Sequence, residues 1–214
     1  MRVIKLEPKK FSDSIFSMKG ISKKTVEEHL KLYQGYVNKY NEIQEKLFHL
    51  GDDEYGKANQ VFSQIRELKT ELSFAWGGVI NHEIYFSHLG GKGGEPKGKL
   101  LEQIIKDFGS FENFKKDLKA TGMAARGWVF TGWNKREERL LSYLSDSQNT
   151  YLVWGVRPIL ALDVYEHAYF IDYGSKRTDY IEAFLANLDW QTIEKRFEKV
   201  ISCCRGQCQC GSSQ

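Results

Sequence analysis

Two long stretches near the start of the chain constrain its fold more than any other feature. From Ser22 to about Leu50, apolar residues recur at steps of three and four, which is the spacing of one face of a helix. A second run of this kind extends from Val61 to Leu89. Ser22 is a residue type that commonly caps a helix N-terminus. After an irregular arm over residues 1–20, the sequence therefore predicts an antiparallel helical hairpin.

The glycine-rich segment GGKGGEPKGK at residues 90–99 is predicted to be a flexible break after the hairpin. Two shorter helical patterns follow, and Ser110 is the expected N-cap of the second. Two further helical patterns close the fold, and Asp189 is the expected N-cap of the last. Three runs between them have the composition of strands, at residues 127–133, 139–144 and 157–164. Helices and strands do not alternate, so we expect an α+β fold: an N-terminal antiparallel helical hairpin, then a mixed domain with a three-stranded antiparallel sheet and helices.

Composition narrows the classes of function. The net charge is only +3, and lysines alternate with glutamates as on solvated helix faces, so we expect no nucleic-acid partner. The chain has no run of eighteen apolar residues, which argues against a membrane partner. The opening MRVIKLEPKKF lacks the apolar core of a signal peptide, so the expected location is cytoplasmic. A mildly positive surface attracts small anions.

The stretch LALDVYEHAYF, residues 160–170, places an acid at the end of an apolar run. Burying a carboxylate is costly unless it is paired or binds a metal. His167 follows Asp163 by four residues, His82 lies on the apolar stripe of the second helix, and His29 lies on a face of the first. Three imidazoles and one carboxylate suit Mn, Fe or Zn.

Each of these histidines taken alone is more often a hydrogen-bonded core residue than a ligand. HEIYF at residues 82–86 is not an H-E-x-x-H motif, and no E-x-x-H pair matches a di-iron bundle. The other two histidines, His49 and His88, stand at helix ends and are expected at the surface. A mononuclear site between the hairpin and the mixed domain is the interpretation we favour.

We expect three parts: an arm and helical hairpin domain at residues 1–90, a C-terminal α/β metal-binding domain at 91–202, and a Cys-rich flexible tail at 203–214. The tail holds all the cysteines of the chain, which are Cys203, Cys204, Cys208 and Cys210. Four thiols within eight residues suit Cu(I) or Zn(II), but the spacing is not a repeated C-x₂-C pair. A reduced, flexible tail is the interpretation we favour.

Several segments resemble one known family. DVYEHAYFIDYGSKRTDYIEAFLANLDW is similar to the C-terminal signature of the iron/manganese superoxide dismutases, whose usual form is D-V-W-E-H-A-Y. NHEIYFSHL resembles the ligand segment of that family's second helix, ISKKTVEEHLKLYQGYVNKYN its first helix, and ATGMAARGWVF its central G-W segment. The resemblance covers about residues 15–200, in the family's order.

This resemblance implies superoxide dismutase activity, in which a mononuclear Mn or Fe ion, one per subunit, cycles between oxidation states and converts superoxide to O₂ and H₂O₂. The implied metal ligands are His29, His82, Asp163 and His167. In the family, a glutamine near the metal comes either from the second helix, four residues before the histidine, or from the β-hairpin region. Gly78 occupies the first position here and Gln148 lies at the second, which resembles the manganese type, so we expect Mn rather than Fe.

The resemblance also implies residues around the metal. Tyr36 resembles the family's gateway tyrosine, which relays protons, although a plain core tyrosine is the alternative. Trp128 resembles a tryptophan that lines the pocket. Tyr33 stands where a histidine is usual, and the segment from His29 to Tyr36 is one residue shorter than the common pattern, which predicts a helix without a local bulge. Tyr165 replaces the tryptophan of the signature, so we expect an atypical pocket.

Glu166 resembles a glutamate that reaches across a dimer interface to the partner's metal-binding histidine. It implies a homodimer with Glu166 at the interface, with a tetramer built from two dimers as a further option; a local salt bridge is the alternative. Other functions remain open at this point. They are a different metalloenzyme on the same scaffold, a non-catalytic Mn- or Fe-binding protein, and a metal-free helical interaction module.

Overall fold

The structure is a computed structural model that describes residues 3–204. From residue 3 to the start of the first helix, the N-terminal arm is irregular apart from a short 3₁₀ turn at Asp13–Ser17. Eight helices and three strands follow in these residues: α1 Lys23–Phe48, α2 Asp52–Gly56, α3 Gln64–Ser87, α4 Gly98–Phe108, α5 Phe111–Ala124, β1 Trp128–Asn134, β2 Arg139–Ser145, β3 Val156–Asp163, α6 Phe170–Tyr173, α7 Arg177–Ala186 and α8 Trp190–Cys204. No helix among the described residues is long and apolar enough to cross a membrane.

The predicted helical hairpin is confirmed as α1 packed against α3. The Ser22 side chain accepts a hydrogen bond from the backbone N–H of Thr25 at 3.2 Å, as its position before α1 predicts. The placement of Val61 on the apolar stripe is wrong, since this residue precedes α3 and is 84% exposed. The Asn59 side chain accepts the backbone N–H groups of Val61 and Phe62, and this turn holds the segment outside the helix.

The predicted three-stranded antiparallel sheet is also confirmed, with the order β2-β1-β3. β1 lies in the centre and is buried over nearly its whole length. β3 lies at an edge, yet its last five residues are buried because helices cover it. Trp128 at the start of β1 pairs with Asp163 at the end of β3.

The glycine-rich segment at 90–99 is irregular but hydrogen-bonded to the far end of the chain. The backbone N–H of Gly91 donates to Asn187 O at 2.9 Å, and that of Gly93 donates to Leu188 O at 3.0 Å. A side chain at Gly91 would meet the backbone of Leu188 and Asp189, so the close approach requires glycine. These contacts bring the end of α3 beside the start of α8.

The expectation that His88 is a surface residue is wrong. His88 is fully buried, and its Nε2 atom lies 3.1 Å from Ala161 O on β3. The end of α3 packs against β3, so a residue that looks terminal in the sequence is internal in the fold. His49, at the end of α1, is exposed as expected. Cys208 and Cys210 lie outside the described residues; Cys203 and Cys204 end α8, with side chains outside that description.

Candidate metal centre

Three elements of the fold meet at one buried point. α1 contributes His29 and α3 contributes His82, on the faces that these helices turn toward each other. Asp163 is the last residue of β3, and a 3₁₀ turn at Glu166–Ala168 brings His167 back to the same place. The four residues that sequence analysis selects therefore lie together, although the first and last are far apart in the chain.

The distances between the four side chains match those of donors around a single ion. Nε2 of His29 and Nε2 of His167 each lie 3.1 Å from Oδ2 of Asp163. Nε2 of His82 lies 3.8 Å from the same oxygen, and one donor atom from each residue lies within 4.8 Å of the others. Donors about 2.0–2.2 Å from one metal lie about 3 Å apart at right angles and about 3.6 Å apart at 120°.

His82 gives the clearest test of whether a metal fits. Its Nε2 atom is the only buried side-chain nitrogen or oxygen in residues 3–204 that has no hydrogen-bond partner. Nδ1 lies 2.6 Å from Gly78 O, and since a carbonyl only accepts, Nδ1 carries the proton and Nε2 carries the lone pair. A buried lone pair without a donor, aimed at three other ligand atoms, is what a metal ion satisfies.

The electrostatics of His82, His29 and Asp163 agree with this assignment. Burial lowers the pKa of His82 to about 3 and also lowers the pKa of His29, so both imidazoles are neutral near pH 7. Burial alone would raise the pKa of Asp163, but the imidazoles of His167 and His29 hold it well below its usual value. Neutral imidazoles and an ionised carboxylate are the forms that bind metals.

A second layer of polar residues surrounds these ligands, centred on Gln148. Its side-chain oxygen accepts a hydrogen bond from Trp128 Nε1 at 3.0 Å, and its Nε2 donates to the Tyr36 hydroxyl oxygen at 3.2 Å. The rings of Trp128 and Tyr36 lie 5.1 Å and 5.3 Å from the His82 ring. The structure thus brings together three of the four surrounding residues that the sequence predicts.

Two glycines of α3 make this arrangement possible. A Cβ atom at Gly77 would lie 2.1 Å from Gln148 O, and one at Gly78 would lie 2.4 Å from the Tyr36 ring. The loop that carries Gln148 and the ring of Tyr36 therefore lie directly on the helix backbone. Asn81, which sequence analysis missed, donates to Gln148 O at 3.0 Å. The one feature of the sequence that could have indicated Asn81 is its position directly before His82.

The Tyr33 hydroxyl forms hydrogen bonds with the N-terminal arm and α3. It accepts a hydrogen bond from the backbone N–H of Lys9 at 2.9 Å and donates to Glu83 Oε1 at 3.2 Å. Glu83 also forms an ion pair with the Lys9 side chain. Tyr33 thus attaches the N-terminal arm to both hairpin helices, and its ring lies 6.4 Å from that of His82. α1 is an α-helix throughout this stretch, as the short His29–Tyr36 spacing predicts.

Tyr165 lies against a metal ligand. Its ring is stacked on that of His167 with centroids 5.2 Å apart, and its backbone N–H donates to Asp163 Oδ1 at 2.9 Å. A Cβ atom at Gly127 would lie 3.0 Å from the Tyr165 ring, so that side of the pocket is tightly filled. The residue that replaces the signature tryptophan therefore still orients both Asp163 and His167.

Comparison with known proteins decides the family. The family model for the alpha-hairpin domain of iron/manganese superoxide dismutases matches residues 19–90, and the model for their C-terminal domain matches residues 96–196. This chain belongs to the iron/manganese superoxide dismutases. The predicted family, fold class and superoxide dismutase activity are confirmed, and the four clustered side chains form the Fe/Mn site of this dismutase.

Relatives from several organisms match over most of their length. A superoxide dismutase [Fe] of Aquifex pyrophilus is 44% identical over 204 residues, which cover 94% of this chain and 95% of the relative. A superoxide dismutase [Fe] of Methanothermobacter thermautotrophicus is 38% identical and covers 81% of this chain and 84% of its own. Superoxide dismutase [Mn] 2 of Haloferax volcanii is 35% identical, with coverage of 79% and 82%. Relatives named for both metals therefore match the dismutase.

Proposed function

We propose that this dismutase converts superoxide to O₂ and H₂O₂ at a single iron ion held by His29, His82, Asp163 and His167. The observation that carries the proposal is the unpartnered Nε2 of buried His82, which faces the other three ligands. A bound iron or manganese ion supplies the change of oxidation state by which one superoxide is oxidised to O₂ and a second is reduced to H₂O₂.

The relatives with the higher identities support iron as the ion. The relatives with 44% and 42% identity, both from Aquifex, are named for iron, as are two relatives from Methanothermobacter with 38% identity. The preference for manganese, which rests on Gln148, has no support in those names. Both ions suit nitrogen and carboxylate donors, so the site chemistry alone does not separate them.

We propose that Tyr36 relays protons from solvent, and that Gln148 holds its hydroxyl in place. Formation of H₂O₂ consumes two protons, and the buried ligands have none to give. The Tyr36 hydroxyl oxygen accepts from Gln148, so its own proton stays free to be donated. Burial raises the pKa of Tyr36, which keeps the phenol protonated between turnovers. Trp128 fixes Gln148 from the other side.

Access for superoxide is proposed from the side of the site where side chains reach the surface. His29, His82 and Asp163 are buried, whereas Tyr36 and Tyr165 are partly exposed. A small anion that enters here meets the ligands between two tyrosine rings. Their bulk limits what else reaches the metal.

Metal analysis paired with a superoxide assay tests the function. The protein is stripped of metal, reconstituted separately with Fe and with Mn, and measured for metal content and superoxide removal. We expect one ion per chain in each case and the higher turnover with iron. Higher turnover with manganese would overturn the choice of ion. Stoichiometric metal without turnover would instead favour a non-catalytic Mn- or Fe-binding protein.

We also propose that two copies of the dismutase pair through the face around Glu166. This side chain is exposed and makes no ion pair within residues 3–204, which leaves a local salt bridge unsupported. Phe170 and Ile171 beside it are exposed apolar residues, and His167 is open on the same side. A partner's Glu166 placed there would orient His167, as carboxylates commonly do for metal-binding histidines. Pairing of dimers and a cytoplasmic location stay predictions.

A further inference from the structure

The free edge of β3 raises a question that the ligand set does not answer. In the order β2-β1-β3, one side of β3 pairs with β1, and no strand within residues 3–204 lies on the other side. Alternate carbonyl groups of an edge strand point away from the sheet and need other partners when buried. In β3 these are the carbonyls of Ile159, Ala161 and Asp163, and the last belongs to a metal ligand.

Side chains from three different helices supply the missing partners. Arg196 of α8 donates to Ile159 O at 2.9 Å. His88, at the end of α3, lies with Nε2 3.1 Å from Ala161 O. Tyr180 of α7 donates its hydroxyl proton to Asp163 O at 2.7 Å.

Arg196, His88 and Tyr180 form a row of donors along the edge of β3, and the hydrogen bonds determine which atoms in this row carry protons. Because a carbonyl only accepts, His88 must carry its proton on Nε2 to bond Ala161 O, which leaves Nδ1 as an acceptor. Nδ1 lies 3.4 Å from Arg196, which only donates. The Tyr180 hydroxyl donates its proton to Asp163 O. The Tyr85 hydroxyl, 3.1 Å away, therefore donates to the Tyr180 oxygen.

The row ends at the metal site. Asp163 is held through its carbonyl by Tyr180, through Oδ1 by the backbone N–H of Tyr165, and through strand pairing with Trp128. These contacts leave Oδ2 as the oxygen that faces the imidazoles of the other ligands. The position of that oxygen depends on where the main chain of β3 lies at its last residue.

We propose that Tyr180 and His88 are positioning residues that hold the free edge of β3 and thereby place the Asp163 carboxylate against the metal. Neither side chain is a ligand, and both act through the backbone of β3. This inference rests on the proposed metal site. The loss of a residue that orients a metal ligand commonly weakens metal binding by about 10–100-fold.

The sharpest test compares Tyr180→Phe with Tyr85→Phe. Both variants keep their ring and lose one hydroxyl, but only Tyr180→Phe removes the donor to Asp163 O. Each protein is loaded with iron, the rate of iron loss to a chelator is measured, and the paramagnetic resonance spectrum of Fe(III) is recorded. We expect about tenfold faster loss and a changed spectrum for Tyr180→Phe alone. Similar behaviour of the two variants, or an unchanged Tyr180→Phe, would overturn the proposal.

A second pair of variants tests His88. The amide nitrogen of glutamine stands about where the imidazole Nε2 does, so His88→Gln keeps a donor for Ala161 O and His88→Leu does not. We expect His88→Leu to release iron faster and His88→Gln to restore retention. A His88→Leu protein that behaves as wild type, or a His88→Gln protein that fails to restore retention, contradicts the role. If wild-type protein takes up no iron, the proposed function itself fails, whereas wild-type binding without variant effects defeats this inference alone.

Discussion

The unpartnered nitrogen of His82 has a cost for the metal-free protein. A buried polar atom without a hydrogen bond destabilises a fold by about 1–3 kcal/mol. We therefore predict that His82→Leu abolishes metal binding, yet raises the unfolding free energy of the metal-free protein by about 1 kcal/mol. Calorimetry of chelator-treated samples measures this. His49→Leu, at an exposed histidine, is the control and should alter neither property. Lower stability of metal-free His82→Leu would contradict the prediction.

Tyr36 carries the proposed proton supply. Tyr36→Phe keeps the ring beside His82 but removes the hydroxyl that Gln148 bonds. We predict a loss of turnover of about 10²-fold at high superoxide concentration, with unchanged metal content, because no ligand is touched. Pulse radiolysis with metal analysis provides the measurement. Tyr40→Phe, one turn further along α1, is the matched control and should retain full turnover; an equal loss in both variants argues against proton supply.

His88 predicts how stability depends on pH. Burial holds the pKa of His88 well below 6.5, and Arg196 beside it lowers it further, so the folded protein keeps this imidazole neutral. As pH falls below 6.5, the unfolded chain binds the proton first, and stability is lost down to the lowered pKa. The loss reaches about 1.4 kcal/mol for each pH unit. Urea unfolding at about pH 7 and about pH 5 should show a smaller loss for His88→Gln than for wild type. Equal losses would contradict this.

At the scale of elements, the approach of the Gln148 loop to α3 depends on one glycine. A Cβ at Gly77 would lie 2.1 Å from Gln148 O, so Gly77→Ala must displace the loop and the side chain it carries. We predict lower turnover and lower thermal stability. Gly35→Ala is the control, because no atom of the described part of the chain lies within 4 Å of its Cβ position on α1. Removal of an exposed helical glycine should stabilise the protein by about 0.5–1 kcal/mol. Normal turnover of Gly77→Ala would show that the loop tolerates displacement.

At the scale of the whole molecule, the proposed dimer makes a prediction about two isoleucines. Ile171, beside the Glu166 face, and Ile105, on α4, are both 47% exposed in the single chain. Burial of Ile171 by a second copy means that Ile171→Glu should shift the protein toward monomer, whereas Ile105→Glu should not. Sedimentation velocity over a concentration series measures both. A dimer that survives Ile171→Glu unchanged places the interface elsewhere.

For the molecule as a whole, some parts of the fold were predictable from sequence and others were not. The bounds of α1 and the three strands follow from periodicity and from caps such as Ser22, which act within a few residues. Val61 was misplaced because a side-chain turn at Asn59 overrides an apolar pattern. His88 was misplaced because its burial depends on α3 packing against β3, which no local pattern records.

The sequence by itself determined the helical hairpin, the mixed domain, the family and the four metal ligands, because helical spacing and the D-V-Y-E-H-A-Y motif are local properties of the chain. Only the tertiary structure decided that Gln148 bonds Tyr36 across 112 positions and that Tyr33 instead serves the N-terminal arm. The same holds for the row of donors along the edge of β3. Hydrogen bonds between distant residues depend on how helices and strands pack, and packing is set by the whole core rather than by any one segment.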